Sequence, residues 1–529
     1  MLRRSVLKTA PLALAGGALA APSVARAQGG KVLKFVPYAD VAVVDPVFST
    51  AYSTRTHVLA VFDTLYGTDE DLRPHPQMAA GHSVEDDGLT WRIGLRDGLL
   101  FHDGTKVLAR DCVASLQRWG RRDAFGQAVM AAANEVTAAD DTTIVFRLKQ
   151  PFPLLPAALG RPSSLVPGIM PERLAATDAF TQVTEVVGSG PYRFAGDERV
   201  PGARVVYARH TGYAPRPDGT PSFTAGPRVP HFDRVEFNVI SDPATAVAAL
   251  QTGDVDWVEQ PLIDLLPLLG RWRDIAVEVK DRTGMIGCFR FNHLHPPFDN
   301  PAIRRAVLET IDQAECMQAV AGSDTAYWGK DVGFFAPTSP MATKPNSAGQ
   351  RGRAMAALKD AVRAAGYRGE RVVMLVGADV PRISAACEVV REALTQLGIS
   401  VDYVTSDWGT VVSRLTSRKP IAEGGWSCYC TYWSGMDQWS PAPHMFLRAN
   451  GARGATGWPD SPAIEALRAR WLAAGDEASQ KAIAAELQRA AEDFVPYVPL
   501  GLFRQPVAYR RNLTGMLGGA PVFTNIRKQ

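Results

Sequence analysis

The sequence has little cysteine, no long apolar run after its first residues and no internal repeat. Six cysteines in 529 residues are too sparse for a small disulfide-stapled scaffold, although one bridge from Cys288 to Cys428 or Cys430 is compatible with the strand-like runs that hold them. No segment reaches the ~20 apolar residues that a membrane-spanning helix needs. With 46% hydrophobic and 21% charged residues, the composition indicates a globular protein with two or three cores.

The amino terminus has the pattern of a cleavable export signal. The pair Arg3-Arg4 precedes an apolar stretch at 11–21, and Ala25-Arg26-Ala27 has small residues at cleavage-site spacing. The arginine pair predicts the twin-arginine export route, and hence a periplasmic protein after removal of residues 1–27. That segment holds four basic residues and no acidic one, so its loss takes the formal net charge from +3 to −1. Such a chain lacks the clustered Lys and Arg of nucleic-acid binders.

Motifs of catalysis are also missing. The sequence has no phosphate-binding Gly-rich loop, and Gly188-Ser189-Gly190 does not make the Gly-x-Ser-x-Gly elbow of α/β-hydrolases. His102-Asp103 is explained by the turn described next. We therefore expect no enzyme activity and no cofactor, with a periplasmic hydrolase as the least favoured alternative.

What the sequence does contain starts with a compact block at 61–111. Asp86-Asp87-Gly88 and His102-Asp103-Gly104 supply turn residues, and the alternation in 90–95 between them predicts a strand. After the second turn, apolar residues spaced by three and four predict a helix that begins near Asp111.

Further motifs continue along the chain: the turn 188–192 (GSGPY), the strand, helix and Gly-Asp-x-Asp turn of 232–257, and the segment 291–312 (FN, PFDNP, IRRAV and a closing Asp312). Together with 61–111, this series resembles extracytoplasmic solute-binding protein family 5, the peptide- and nickel-type ABC transporter binding proteins, over nearly all of the mature chain. The resemblance implies a monomeric periplasmic receptor, similar to dipeptide- and oligopeptide-binding proteins. It would capture a peptide-like solute and deliver it to a permease and its ATPases.

The resemblance also implies an α/β fold of two lobes around a hinged cleft, a type II periplasmic binding protein of the large cluster with an accessory subdomain. The expected ranges are 28–63, 182–281 and 494–529 for lobe I, 64–181 for the accessory subdomain and 282–493 for lobe II. Alternating strand and helix signals in 282–493 predict a largely parallel sheet. Two crossings between the lobes, near residues 281 and 494, allow a hinge.

The segment Gly424–Trp439 concentrates aromatic residues more than any other. Its alternation predicts a strand that ends at Ser434-Gly435, and open α/β sheets bind ligands beyond the carboxyl ends of their strands. Ligand contacts are therefore predicted here, with aromatic faces to cover the solute. The candidates are Trp426, Tyr429, Tyr432, Trp433, Met436, Asp437 and Trp439.

Peptide-binding relatives carry an aspartate three residues after the tryptophan that corresponds to Trp433, and it pairs with the peptide's α-amino group. In this sequence Met436 occupies that position and Asp437 follows one residue later. We expect Asp437 to reach a ligand cation through a charge-assisted hydrogen bond, with an amine-bearing, opine-like or modified peptide as compatible as a dipeptide. The family pattern adds Thr50, Tyr52 and Phe125 from the other side of the cleft, and leaves Trp257 as a cleft or core residue.

A haem or metal-chelate receptor is the main alternative. Soft ligands fall within one short window: Cys428, Cys430, Met436, His444 and Met445. No set has a structural-zinc spacing, and alternate cysteines on a strand are more often buried small residues. His293-x-His295 is a weaker pattern of the same kind.

Overall fold

The computed structural model describes residues 31–345 and 354–529, so the predicted export signal lies outside the described residues. The helices are α1 (Tyr52–Val61), α2 (Ala109–Gly120), α3 (Ala124–Ala132), α4 (Leu155–Leu159), α5 (Glu172–Ala175), α6 (Pro243–Thr252), α7 (Leu266–Leu269), α8 (Pro301–Thr310), α9 (Gln313–Ala321), α10 (Met355–Ala364), α11 (Pro381–Gln396), α12 (Trp408–Arg414), α13 (Pro462–Ala473) and α14 (Glu477–Phe494). None of these helices combines the length and the apolar character needed to cross a membrane.

The strands of the described residues are β1 (Val32–Val36), β2 (Tyr66–Thr68), β3 (Pro74–Pro76), β4 (Ala79–Glu85), β5 (Thr90–Leu95), β6 (Ala133–Ala138), β7 (Thr143–Leu148), β8 (Tyr192–Phe194), β9 (Arg204–Arg209), β10 (Arg234–Asn238), β11 (Trp257–Val258), β12 (Ile275–Glu278), β13 (Met285–Phe291), β14 (Trp328–Gly329), β15 (Val372–Gly377), β16 (Val401–Ser406), β17 (Cys428–Ser434), β18 (Tyr497–Phe503), β19 (Val507–Arg510), β20 (Leu513–Thr514) and β21 (Arg527–Lys528). They form a seven-stranded, a six-stranded and a four-stranded sheet, and two two-stranded sheets, β2-β3 and β20-β21.

A seven-stranded sheet in the order β12-β19-β11-β1-β10-β9-β8 forms the core of lobe I. The central strand β1 runs parallel to both of its neighbours, β10 and β11. Aromatic rings pack on this sheet, and Trp257 meets Phe35 edge to face with ring centroids 4.8 Å apart. Because Trp257 is only 3% exposed, it is a core residue and not a cleft residue.

Lobe II is built on a six-stranded sheet in the order β14-β18-β13-β17-β15-β16. The prediction of a largely parallel sheet is wrong, since only the pairs β15–β16 and β15–β17 are parallel, whereas β13 pairs antiparallel with both β17 and β18. Parallel neighbours are joined by a crossover connection. β13 starts at the first connection from lobe I and β18 ends at the second, so these two neighbouring strands run in opposite directions.

The two connections between the large sheets lie at 279–284, between β12 and β13, and at 504–506, between β18 and β19. The first agrees with the predicted crossing near 281. The second comes later than the predicted boundary at 494, because Tyr497–Phe503 pairs with β13 and β14 inside the lobe II sheet. The apolar sequence of 495–500 contains no local signal of which sheet the segment joins.

The accessory subdomain, predicted for 64–181, contains a four-stranded antiparallel sheet in the order β4-β5-β7-β6. The hairpin predicted at Asp86-Asp87-Gly88 is present between β4 and β5, with Asp87 at φ 52° and Gly88 at φ 95°. Helix α2 follows as predicted. The Asp111 side chain accepts a hydrogen bond from the Leu108 N–H at 2.8 Å and so caps the first turn.

The 188–192 turn and the 102–104 turn prove to be one structural unit. His102 Nδ1 accepts a hydrogen bond from the Gly188 N–H at 3.2 Å, and its Nε2 donates to the Gly190 carbonyl at 3.0 Å. Both glycines pack directly on the backbone of Val61, where a Cβ atom would overlap it. The motif therefore serves close packing at the end of α1, which is a structural reason for glycine at these positions.

Candidate functional site

The carboxyl end of β17 contacts the start of α1 across the two lobes. The Tyr52 hydroxyl accepts a hydrogen bond from the Ser434 N–H at 2.6 Å and donates one to Asp437 Oδ2 at 3.3 Å. Its ring meets that of Trp433 edge to face, with centroids 6.2 Å apart. Burial, and after it the carboxylate of Asp437, raises the pKa of Tyr52 well above its usual value, so the hydroxyl keeps its proton.

A buried ion pair holds the loop that leads into α1. Asp45, at the predicted Asp-Pro loop, accepts two hydrogen bonds from the Arg118 guanidinium, both at 2.8 Å. The Val47 N–H also bonds to Asp45 Oδ1 at 3.0 Å. Because the loop is fixed at its start, Tyr52 occupies a defined position at the first turn of the helix.

Asp437 is enclosed by the protein's own cation. Its side chain is 0% exposed and lies 2.8 Å from Arg161 Nη2, while Ser163 Oγ donates to it at 3.0 Å. The opposite nitrogen of Arg161 pairs with Asp123 at 2.5 Å. The prediction that Asp437 receives a ligand cation does not fit this environment, since Arg161 occupies its Oδ1 and the Ser163 and Tyr52 hydroxyls occupy its Oδ2.

Three other candidates line one pocket of about 240 Å³ between the accessory subdomain and lobe II. Phe125 and Met436 contribute apolar walls, and Trp439 and Trp471 also line the pocket. Arg161 reaches the same pocket, so the Arg161–Asp437 pair forms part of its inner boundary.

The remaining candidates are dispersed. Trp426 and Tyr429 are buried in a lobe II cluster, with their rings 5.6 Å apart, and belong to the core. Thr50 is exposed. Tyr432 is partly buried on the face of β17 opposite to that of Tyr429. Its ring meets that of Phe503 edge to face, with centroids 5.3 Å apart.

The soft-ligand window does not assemble into a metal site. Cys428 and Cys430 belong to a lobe II core cluster, whereas Met436 packs in a lobe I cluster. His444 Nε2 is engaged by the Phe334 carbonyl at 2.7 Å and by the Tyr497 hydroxyl at 3.1 Å. Within 31–345 and 354–529 no group of three or more His, Cys, Asp or Glu is placed to hold a metal ion.

The disulfide allowed by the sequence does not form. The thiols of Cys288, Cys428 and Cys430 are free and buried. Cys288 pairs in register with Thr431, and Phe289 with Cys430, so strand alternation places Cys288 on the face opposite to the other two thiols. The two faces belong to different core clusters.

A second group of residues, which we call the inter-lobe cluster, lies between the two large sheets: Tyr38, Arg55, Glu259 and Gln260 from lobe I, Asp281 at the first connection, and Arg382, Tyr432 and Phe503 from lobe II. In lobe I, Glu259 Oε2 accepts a hydrogen bond from the Tyr38 N–H at 2.9 Å. The Tyr38 hydroxyl in turn accepts one from the Ser53 N–H at 3.2 Å. Arg55 lies over the Tyr52 ring at 4.5 Å from its centroid, which joins this cluster to the Tyr52 contact.

Arg382 is the lobe II residue that contacts the lobe I part of the inter-lobe cluster. Its Nη1 donates to Gln260 Oε1 at 3.4 Å, and its guanidinium carbon lies 5.2 Å from the centroid of Phe503. Tyr38 is 40% exposed, and Tyr432 and Arg382 are partly buried. Polar groups from both lobes thus border the same solvent-reachable region.

Sequence reasoning missed most of this cluster, although the rule that selected β17 would have found it. Tyr38 follows β1, Glu259 follows β11 and Arg382 follows β15, each beyond the carboxyl end of its strand. The rule was applied only to the aromatic strand, because an isolated tyrosine, glutamate or arginine gives no compositional signal.

Comparisons with known proteins identify the family of the chain. Residues 73–455 match the family described as bacterial extracellular solute-binding proteins, family 5 middle. A probable peptide ABC transporter periplasmic-binding protein of Sinorhizobium fredii is 38% identical over 97% of both chains. A glutathione-binding protein of Salmonella paratyphi A is 25% identical over 94% of this chain and 92% of its own.

Among solved structures, a periplasmic binding protein of A. tumefaciens R10 in complex with agropinic acid superposes with a TM-score of 0.78. The superposition covers 94% of this chain and 99% of the other at 21% identity, so it establishes the two-lobed α/β fold alone. The family match covers most of the described chain and includes Glu259, Gln260, Asp281, Arg382 and Tyr432 of the inter-lobe cluster. On these grounds the chain belongs to the bacterial extracellular solute-binding proteins of family 5.

Proposed function

We propose that this chain is the periplasmic solute-binding component of an ABC importer and that it binds a peptide or peptide-like solute between its lobes. The observation that carries the proposal is the inter-lobe cluster, in which polar and aromatic side chains from both large sheets border one region. The names of the sequence relatives, a peptide-binding and a glutathione-binding protein, support the solute class.

Lobe closure is the proposed mechanism. A solute that touches both lobes favours the closed state by the contacts it gains only there. Two protein contacts act in the same direction, the Tyr52–Ser434 hydrogen bond and the Arg382–Gln260 hydrogen bond, because each joins lobe I to lobe II. The connections at 279–284 and 504–506 are the hinge positions.

Delivery then requires other chains. The closed binding protein would dock on permease subunits, and their ATPases would supply the energy for transport. We propose that the protein reaches the periplasm through the twin-arginine route and acts there as a monomer that releases its solute chemically unchanged.

The direct test is isothermal titration calorimetry of the mature protein, residues 28–529, with dipeptides, longer peptides, glutathione and agropinic acid. Saturable binding, with the compound recovered unchanged by mass spectrometry, is the expected result. Absence of binding by every compound, or steady conversion of one of them, would contradict the proposal. Export is tested separately by replacing Arg3 and Arg4 with lysine, which should leave the precursor in the cytoplasm.

A further inference from the structure

Arg55 is a buried cation that forms no ion pair among the described residues. It is 7% exposed, its Nη1 donates to the neutral Ser163 hydroxyl at 3.1 Å, and its Nε has no hydrogen-bond partner among the described residues. The buried arginines Arg118, Arg161 and Arg228 each pair with a carboxylate at 2.8 Å. Arg290 and Arg304 are also buried and donate to two or more backbone carbonyls instead, whereas the one hydrogen bond of the Arg55 side chain goes to a hydroxyl. A buried charge is costly unless it is paired, so the Arg55 site is suited to an anion supplied from outside.

Glu259 is the matching buried anion. It is 5% exposed, and its only hydrogen-bond partner in the described chain is the Tyr38 N–H. No cation of the described residues forms an ion pair with it. Arg55 is near enough to influence its ionisation, yet the two side chains do not pair, and Tyr38 links their surroundings through its contacts with Glu259 and Ser53.

Lobe II and the first connection add one further charge of each sign. Arg382 has a neutral amide as its hydrogen-bond partner, and Asp281 accepts hydrogen bonds only from the N–H and hydroxyl of Thr283, at 2.9 and 2.6 Å. Among the described residues these charged side chains of both signs form no ion pair with one another. Arg55 and Glu259 belong to lobe I, and Arg382 reaches Gln260, the residue next to Glu259, from lobe II.

We propose that the solute carries a free α-amino-acid head group that bridges Arg55 and Glu259, its carboxylate on Arg55 and its ammonium on Glu259, while a second acidic group at its other end meets Arg382. This inference rests on the proposed function, since it assigns the solute class of the same cleft. A γ-glutamyl peptide has this arrangement, with ammonium and carboxylate on one carbon and another carboxylate at the far end. An α-linked peptide does not, because its ammonium and its terminal carboxylate lie at opposite ends.

Two further features agree with an orientation in which the solute's ammonium group lies on Glu259 of lobe I. The position at which peptide-binding relatives place an amine-binding aspartate is Met436, and the adjacent Asp437 is consumed by Arg161, so lobe II offers no free carboxylate there. Burial also raises the pKa of Glu259 to about 7, with the Tyr38 N–H and Arg55 opposing the shift. Tyr38 and Arg55 are the titratable groups that face Glu259, and an arriving ammonium would favour its ionised form.

The experiment compares two isomers, γ-glutamyl-alanine and α-glutamyl-alanine, by titration calorimetry at pH 7, with glutathione and alanyl-alanine beside them. We expect γ-glutamyl-alanine to bind at least tenfold more tightly than its α-linked isomer. The same titration in phosphate and in Tris buffer should reveal release of about half a proton per bound molecule, because a group of pKa near 7 is half protonated at that pH.

Variants assign the effect to residues. Glu259→Gln and Arg55→Gln should each weaken γ-glutamyl-alanine binding by roughly tenfold or more, and Glu259→Gln should also abolish the proton release. Glu185→Gln and Arg173→Gln are the matched controls, since these exposed residues pair with each other at 2.6 Å outside the cluster. A single cooperative melting transition identifies variants that fold, and the buffer comparison on wild-type protein does not depend on any variant.

The outcomes separate the two proposals. Equal or tighter binding of α-glutamyl-alanine or alanyl-alanine overturns the head-group assignment and leaves the peptide-binding function standing. Tight γ-glutamyl-alanine binding that releases no proton and survives Glu259→Gln also overturns the assignment. If no peptide of the panel binds, including those of the function test, the proposed function fails together with the inference.

Discussion

Arg161 and Asp437 form a buried ion pair of 2.8 Å between the accessory subdomain and the loop that follows the aromatic strand of lobe II. The two residues are 276 positions apart in the sequence. The sequence predicts Asp437 as a ligand-binding residue, whereas in the structure its side chain joins lobe II to the accessory subdomain.

The first prediction concerns this pair. Asp437→Ala leaves Arg161 paired with Asp123 but removes the acceptor of hydrogen bonds from Arg161, Ser163 and Tyr52, so the protein should lose about 1–3 kcal/mol of unfolding free energy. Urea unfolding without solute measures the loss. If Asp437 instead held the solute's amine, the variant would keep its stability and lose only solute binding.

A second prediction concerns the Tyr52 hydroxyl. Tyr52→Phe removes both its hydrogen bond from Ser434 and its bond to Asp437, and the closed state should lose about 1–3 kcal/mol, at a net 0.5–1.5 kcal/mol for each bond. Solute affinity should fall accordingly, with little effect on the isolated lobes. Calorimetry gives the affinity, and Tyr403→Phe, on the outer strand of lobe II, is the control that should bind as the wild type does.

The third prediction is a pH dependence set by Glu259. Burial raises its pKa from 4.5 to about 7, so the unfolded chain ionises this group at lower pH than the folded protein does. Below pH 4.5 both states are protonated, and between pH 4.5 and 7 ionisation favours the unfolded state by a total of about 3 kcal/mol. Relative to wild type without solute, Glu259→Gln should therefore gain stability as the pH rises from 5 to 8. A stability difference that does not vary with pH would contradict the burial of this carboxyl group.

Three buried histidines predict the opposite behaviour in acid. Burial lowers the pKa values of His57, His102 and His444 to about 3, whereas the unfolded chain protonates its histidines near 6.5. Their contribution to stability is complete above pH 6.5 and is lost as the pH falls from there towards 3. Unfolding curves between pH 7 and 4 should show this loss in Glu259→Gln, where the opposing carboxyl contribution is absent.

The cysteines give a fifth prediction. Because the register of β13 and β17 separates Cys288 from Cys428 and Cys430, no bridge among these three should form in the oxidising periplasm. Alkylation of periplasmic protein after unfolding without reductant, read by mass spectrometry, should modify all three thiols. Burial also raises the pKa values of these thiols, so the native protein should react slowly.

Local structure could be predicted from the sequence wherever neighbouring residues determine it. The hairpin at 86–88 has the predicted form. Asn300, Ser461 and Asp476 are residue types that favour the first position of a helix, and they cap α8, α13 and α14. The end of β17 at Ser434 also agrees with its alternation.

Contacts between distant parts of the chain could not be predicted from local sequence patterns. The direction of β13 and the sheet that Tyr497–Phe503 joins depend on where the chain crosses between lobes, which no local pattern records. The partner of Asp437 comes from a distant loop, and Arg55 and Glu259 are notable only because neither forms an ion pair within the part of the chain that the structure describes. The sequence placed Tyr52 and Trp433 near the cleft through family resemblance, whereas the charge arrangement needed the assembled lobes.

The central claim, that a solute binds between the lobes and closes them, is tested most directly by measuring a distance across the hinge. Spin labels at Val200→Cys in lobe I and Val412→Cys in lobe II occupy exposed positions, while the native cysteines are buried. The account predicts that saturating γ-glutamyl-alanine shifts the distance distribution measured by electron–electron double resonance to a single population, and that Arg55→Gln reduces this shift. A distribution that stays the same when calorimetry shows the site to be full would contradict it.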